Sequence, residues 1–101
     1  MPDDLLKPPV VLITGAGRRV GAATARQLHR RGWCVLLHCI HSERTARLLA
    51  DELNSLRADS ARVLIADLSN ATAIAALAEA SINAYGHLDA LINNASSFYA
   101  T

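Results

Sequence analysis

The feature that most constrains this chain is the junction at residues 10–21, where Val10-Val11-Leu12-Ile13-Thr14 breaks into Gly15-Ala16-Gly17-Arg18-Arg19-Val20-Gly21. The first run is largely β-branched and has no apolar–polar alternation. That is the pattern of a strand buried on both faces, as in a parallel sheet sandwiched between helices. After the glycines, Val20, Ala23, Ala25 and Leu28 recur at approximately helical spacing until Gly32, a natural helix stop. Strand, glycine turn and helix over residues 20–31 follow in order.

The alternation then repeats. Trp33 to His38 reads as a second strand, and Ser42 as the N-cap of a helix whose Ala46, Leu49, Ala50, Leu53 and Leu56 share one face. A third buried strand is expected from Arg62 to Ala66. Asn70 or Ser69 then caps an Ala-rich helix with Ile74, Leu77, Ala78, Ile82 and Tyr85 on one face, ending before Gly86. Leu88 to Asn93 reads as a fourth strand. Composition agrees, because 19 Ala and 15 Leu favour helices, while only four residues are aromatic. Right-handed crossovers turn β-α-β-α-β-α-β into an α/β, doubly wound parallel sheet with strand order 3-2-1-4. A chain of 101 residues is one domain at most, here a Pro-rich leader over residues 1–9 and the domain over 10–101.

Several function classes drop out. With 51% apolar and 19% charged residues the chain suits a buried core rather than intrinsic disorder. Its apolar runs are far shorter than the roughly 20 residues that span a bilayer, so no membrane role is expected. The opening residues carry acid where a signal peptide carries base, and the expected location is the cytoplasm. Cys34 and Cys39 fall on opposite faces of one strand, about 16 Å apart, beyond disulfide reach, and read as free thiols. Residues 1–50 hold eight Lys/Arg against three Asp/Glu and residues 51–101 two against six, but the base is scattered over a loop and two helices. A nucleic-acid surface needs a denser stripe, and no nucleic-acid partner is expected.

The glycine loop is the candidate binding site. Glycines between a buried strand and a helix let a pyrophosphate approach the unpaired N–H groups and positive dipole of the helix start. The spacing Gly-x-Gly-x-x-x-Gly is one residue longer than the common dinucleotide fingerprint. Arg18 and Arg19 oppose that dipole, and a bound phosphate explains the pair better than solvation alone. At the end of the second strand a carboxylate would bond a ribose 2′-hydroxyl, whereas His38-Cys39-Ile40-His41-Ser42 offers base and hydroxyl instead, favouring NADP(H) over NAD(H). A plainer alternative makes His38 a buried residue and His41 a surface one. Asp67 follows the third strand at the ligand-binding edge, as a cofactor contact or a turn residue. Asn93-Asn94-Ala95-Ser96-Ser97-Phe98-Tyr99 occupies the same edge after the fourth strand, as a pocket rim or part of a larger core. No metal ligands are read.

Through Thr14-Gly15-Ala16-Gly17-Arg18-Arg19-Val20-Gly21, Asp67 and Asn93-Asn94-Ala95-Ser96, the chain resembles the N-terminal part of the short-chain dehydrogenase/reductases. More narrowly it resembles the pteridine reductases, in Arg19 where most of the superfamily has glycine, in His38 and Ser42, and in Leu53-Asn54 with Arg57. The stretches Ala66-Asp67-Leu68-Ser69-Asn70 and Asn93 to Tyr99 add to it, and the resemblance runs from residue 10 to 101. It implies a Rossmann-type domain, incomplete at its C-terminus, that serves NADPH-dependent hydride transfer to a pterin. Gly15, Arg18, Arg19, Val20 and Gly21 would meet the cofactor phosphates, and His38, His41 and Ser42 would surround the 2′-phosphate. Ala66, Asp67 and Leu68 would flank the adenine, and Asn94, Ala95 and Ser96 the ribose and nicotinamide. Arg19, Ser96 and Phe98 would form the substrate side. The family usually has Arg where this chain has His41, so its NADP preference is expected to be weaker or pH-dependent. The resemblance also implies a homo-oligomer for a full-length form. The family's Tyr-x-x-x-Lys pair is absent from these residues, whose one lysine is Lys7, so no catalytic residue is assigned. The alternatives are a truncated, non-catalytic nucleotide-binding module and a reductase of another carbonyl or ring compound.

Overall fold

The five residues of β1, Val10–Thr14, are all buried, and the other strands assemble around them. The structure, a computed structural model, describes residues 7–94. The elements that follow are α1 (Arg19–Arg30), β2 (Cys34–Cys39), α2 (Glu43–Leu56), β3 (Ala61–Ile65), α3 (Ala71–Tyr85) and β4 (Ala90–Asn93). The strands pair in parallel in the order β3-β2-β1-β4, the doubly wound arrangement the sequence predicts.

Alternate residues of the two central strands serve opposite faces. Val11 and Ile13 of β1, with Val35 and Leu37 of β2, pack under Ala25 of α1 and Leu49, Ala50 and Leu53 of α2. Val10, Leu12, Cys34 and Leu36 point the other way, where Leu77 of α3 is the buried helix residue that meets them. Burying each large side chain of this kind contributes roughly 1.5–3 kcal/mol. Both cysteines are buried and unbridged, and burial pushes each thiol's pKa up.

Local chemistry ends the helices where expected. Gly32 takes φ 100°, its N–H donates to the His29 carbonyl, and Trp33 N–H donates to the Leu28 carbonyl, which together close α1 in a Schellman motif. Asn70, not Ser69, caps α3, its Oδ1 accepting from the N–H groups of Thr72 and Ala73 at 2.8 and 3.2 Å. Ser42 holds the N-cap position of α2 without a side-chain capping bond.

Several expectations need correction. In α1 the buried face is Gly21, Ala25 and His29, while Val20 and Ala23 face solvent, because the helix is rotated so that the i, i+4, i+8 row beginning at Gly21 meets the sheet. Leu56, expected on the inner stripe of α2, is 73% exposed at the helix end. β3, expected to be a buried strand, is buried only at Ala61, with Arg62 and Ile65 exposed, since it stands at the edge of the sheet. The inner face expected for α3 is half open, with Ile74 and Ile82 48% and 49% exposed. Among the described residues no helix is long and apolar enough to cross a membrane.

Candidate functional site

Parallel pairing brings the carboxyl ends of all four strands to one edge, where Gly15, Cys39 to Ser42, Ala66 to Leu68, and Asn93-Asn94 meet. Gly15 turns the chain with φ 65°, a left-handed conformation that favours glycine, and Arg18 N–H closes the turn on the Gly15 carbonyl at 3.2 Å. Arg18 is the N-cap of α1. The amides of Arg19, Val20 and Gly21 form the first turn and have no intrahelical acceptor.

The other two glycines are needed for close approach. A Cβ on Gly17 would lie 2.4 Å from Ser42 Cβ, so the loop rests directly against the start of α2. A Cβ on Gly21 would lie 2.5 Å from the Gly15 carbonyl oxygen and 2.9 Å from Asn94 Nδ2. Gly17 was not among the residues assigned from the sequence, although its place in the glycine spacing was the available signal.

Arg18 and Arg19 are both exposed, the first turn of α1 carries no acid, and neither arginine meets a carboxylate among the described residues. At the end of β2, Ile40 and Ser42 are partly buried and His41 is exposed. The nearest acid in sequence, Glu43, is paired with Arg47 at 2.7 Å. A small cleft of about 40 Å³ lies among Gly15, Arg18, His38, Cys39, His41 and Ser42. Arg18 is the charged side chain that lines this cleft, and the exposed Asp67 carboxylate stands near His41 at its side.

His38 differs from its neighbours. It is 1% exposed, its Nδ1 accepts from Gly15 N–H at 3.2 Å, and its Nε2 lies 2.8 Å from the Ala66 carbonyl. Its ring lies beneath the loop, with both nitrogens used by backbone. The sequence-level alternative of a buried His38 and a surface His41 matches this placement.

Asp67 is exposed after β3. Its Oδ1 accepts from Ser69 N–H at 3.0 Å and Ser69 Oγ at 2.7 Å, and those bonds, with His41 nearby, hold its carboxyl below the usual range. Leu68 beside it is half-buried and borders a cavity of about 350 Å³ with Leu12, Thr14, Leu77, Leu91 and Asn93. Thr14 joins β1 to β4, its hydroxyl donating to Asn93 Oδ1 at 2.9 Å and accepting from Asn94 N–H at 2.8 Å. The sequence offered no sign of that clamp beyond the residue types. Ala95, Ser96 and Phe98 lie outside the described residues, and among those described no metal-binding group of His, Cys, Asp or Glu is gathered.

Two of the family-like details hold the fold rather than the site. Asn54 Oδ1 accepts from Ser60 and Ala61 N–H, and Arg57 donates to the carbonyls of His29 and Trp33. Together they fix the turn into β3 and the end of α1.

Comparison with known proteins covers nearly the whole chain. The short chain dehydrogenase family pattern matches residues 9–100. A pteridine reductase 1 of Leishmania tarentolae is 42% identical over 110 aligned positions, covering 92% of this chain and 38% of that protein. A tetrahydroxynaphthalene reductase of Pestalotiopsis fici is 38% identical over 85 positions, covering 84% of this chain and 30% of its own. A versicolorin reductase of Emericella nidulans is 35% identical over 86 positions, covering 85% and 32%. The chain thus spans about a third of the length of these relatives.

Proposed function

This chain belongs to the short-chain dehydrogenase family, and from that premise we propose that it is the NADP(H)-binding part of an NADPH-dependent reductase, with a pteridine as the reduced substrate. The observation that carries the cofactor choice is the lining of the cleft at the end of β2. Arg18 lines a cleft with His41 and Ser42 at the end of β2, neither Arg18 nor Arg19 meets a carboxylate among the described residues, and no acid stands at that strand end before Glu43, which is paired with Arg47. A 2′-hydroxyl would call for a carboxylate at that end, while a 2′-phosphate calls for base and hydroxyl.

Gly15, Arg18, Arg19, Val20 and Gly21 hold the pyrophosphate in this reading, the first-turn amides donating to it and the arginines supplying charge. His41 and Ser42 face the 2′-phosphate, with His38 behind them. Ala66, Asp67 and Leu68 flank the adenine, and Asn94, Ala95 and Ser96 the ribose and nicotinamide. Arg19, Ser96 and Phe98 shape the substrate side. The cofactor, when bound, supplies the hydride. The 42% identity to a protein named pteridine reductase 1 supports the choice of ring. The proposal extends to a cytoplasmic, homo-oligomeric full-length form.

Titration with NADPH and NADH, followed by cofactor fluorescence, tests the reading. NADPH is expected to bind more tightly, and Arg18→Ala or Arg19→Ala to weaken it by about tenfold, the worth of one charge-assisted bond. Binding of neither cofactor overturns the proposal. A second reading, a nucleotide-binding module without turnover, is favoured by the single lysine of these 101 residues, which leaves no Tyr-x-x-x-Lys among them. NADPH oxidation by a product limited to these residues sinks that second reading.

A further inference from the structure

His38 is bonded at three points beneath the glycine loop. Its backbone carbonyl accepts from Ala16 N–H at 2.9 Å, its Nδ1 accepts from Gly15 N–H at 3.2 Å, and its Nε2 meets the Ala66 carbonyl at 2.8 Å. An amide only donates and a carbonyl only accepts, so the two contacts fix the tautomer, with the proton on Nε2 and a lone pair on Nδ1. One residue of β2 thereby holds two successive amides of the β1 loop and the end of β3.

The consequence for the loop is specific. With Gly15 and Ala16 N–H drawn down to His38, these two amides do not face an anion, and the donors available to it include those of the first turn of α1. The loop is also stopped from the side, where Gly17 touches Ser42. The His38 ring is buried, so a phosphate group does not reach its nitrogens without breaking one of these bonds.

We infer that His38 is a positioning residue, whose Nδ1 sets the height of the glycine loop and so tunes affinity for the part of the cofactor common to NADPH and NADH, rather than a ligand of the 2′-phosphate. This rests on the reading of the loop as a dinucleotide site. It separates two roles that a histidine at this position can have.

Two amide substitutions divide the ring's functions, because the Oδ1 of an asparagine falls near the Nδ1 position and the Nε2 of a glutamine near the Nε2 position. In the full chain, His38→Gln leaves Gly15 N–H without an acceptor, and it is expected to weaken NADPH and NADH alike by about tenfold, the cost of one unmade buried bond. His38→Asn restores an acceptor and is expected to recover most of that loss. Equal losses in the two variants, or a loss confined to NADPH, overturn the inference while leaving the cofactor reading intact. Should either variant fail to fold, ring-nitrogen chemical shifts of the unsubstituted protein decide it, since a proton on Nδ1 is incompatible with the role. An unsubstituted protein that binds neither cofactor instead removes the cofactor reading and this inference together.

Discussion

The two faces of the sheet are built from equal shares of the same strands and yet differ sharply. Under α1 and α2 the core is closed, with Val11, Ile13, Val35 and Leu37 fully buried and Leu53 1% exposed. Under α3 it is half open, and Leu91 of β4 is 61% exposed beside Ile74 and Ile82. Two helices seal one face, whereas one helix is laid across the other. The difference teaches that burial here follows the number of elements above a residue more than the residue's own hydrophobicity, because Leu53 and Leu91 are the same amino acid with opposite fates.

The largest test of that contrast is truncation on each face, with stability read from urea unfolding of the full chain. Leu53→Ala is expected to cost about 2–5 kcal/mol through lost transfer energy and the cavity left behind, and Leu91→Ala less than about 1 kcal/mol. Equal costs would break the comparison and mean that the α3 face is covered in solution. Next comes the α1 start, where Gly21→Ala drives a Cβ against the Gly15 carbonyl and Asn94. It should cost about 1–3 kcal/mol and weaken cofactor binding, as overpacking does. Gly32→Ala serves as its control, since its space is open and only its left-handed φ is strained.

The helix starts sharpen the comparison further. Asn70→Ala removes the two bonds that cap α3 and should cost about 1 kcal/mol, while Ser42→Ala, without a capping bond to lose, should cost no more than a few tenths. The smallest effect at neutral pH belongs to His29, buried on the closed face with its Nε2 2.6 Å from Ser60 Oγ. Burial, with Arg57 adding repulsion, lowers its pKa below the ordinary 6.5. Above pH 6.5 the ring is neutral in folded and unfolded chains alike and contributes no pH dependence. As pH falls below 6.5 the unfolded chain takes up a proton first, so stability is lost until the lowered folded value is passed. His29→Gln should flatten this acid limb of a stability–pH profile, and an unchanged slope would show that His29 is not its source.

Much of the site was legible in the chain because its signals are local. The glycine spacing, the buried run before it and the two arginines are properties of consecutive residues, and the structure joins them as strand, turn and helix start. The order of the strands followed as well, since crossover handedness leaves few alternatives. The misplaced faces all depend on tertiary placement. The openness of β3 depends on its standing at the sheet's edge, and the exposure of Val20 on how α1 rolls onto the sheet.

By itself, then, the sequence determined the alternation of elements, the glycine turn and the charge of the two arginines that follow it, because backbone freedom, side-chain branching and charge belong to each residue. Tertiary structure alone decided which of these groups is free to meet a ligand. Arg18 and His38 are both basic residues near the loop, but His38 lies 23 residues along from Gly15 and 28 from Ala66, and only folding brings those backbone partners to its two nitrogens. A hydrogen bond needs its partner within about 3 Å, and no pattern of neighbouring residues specifies what arrives there from so far along the chain.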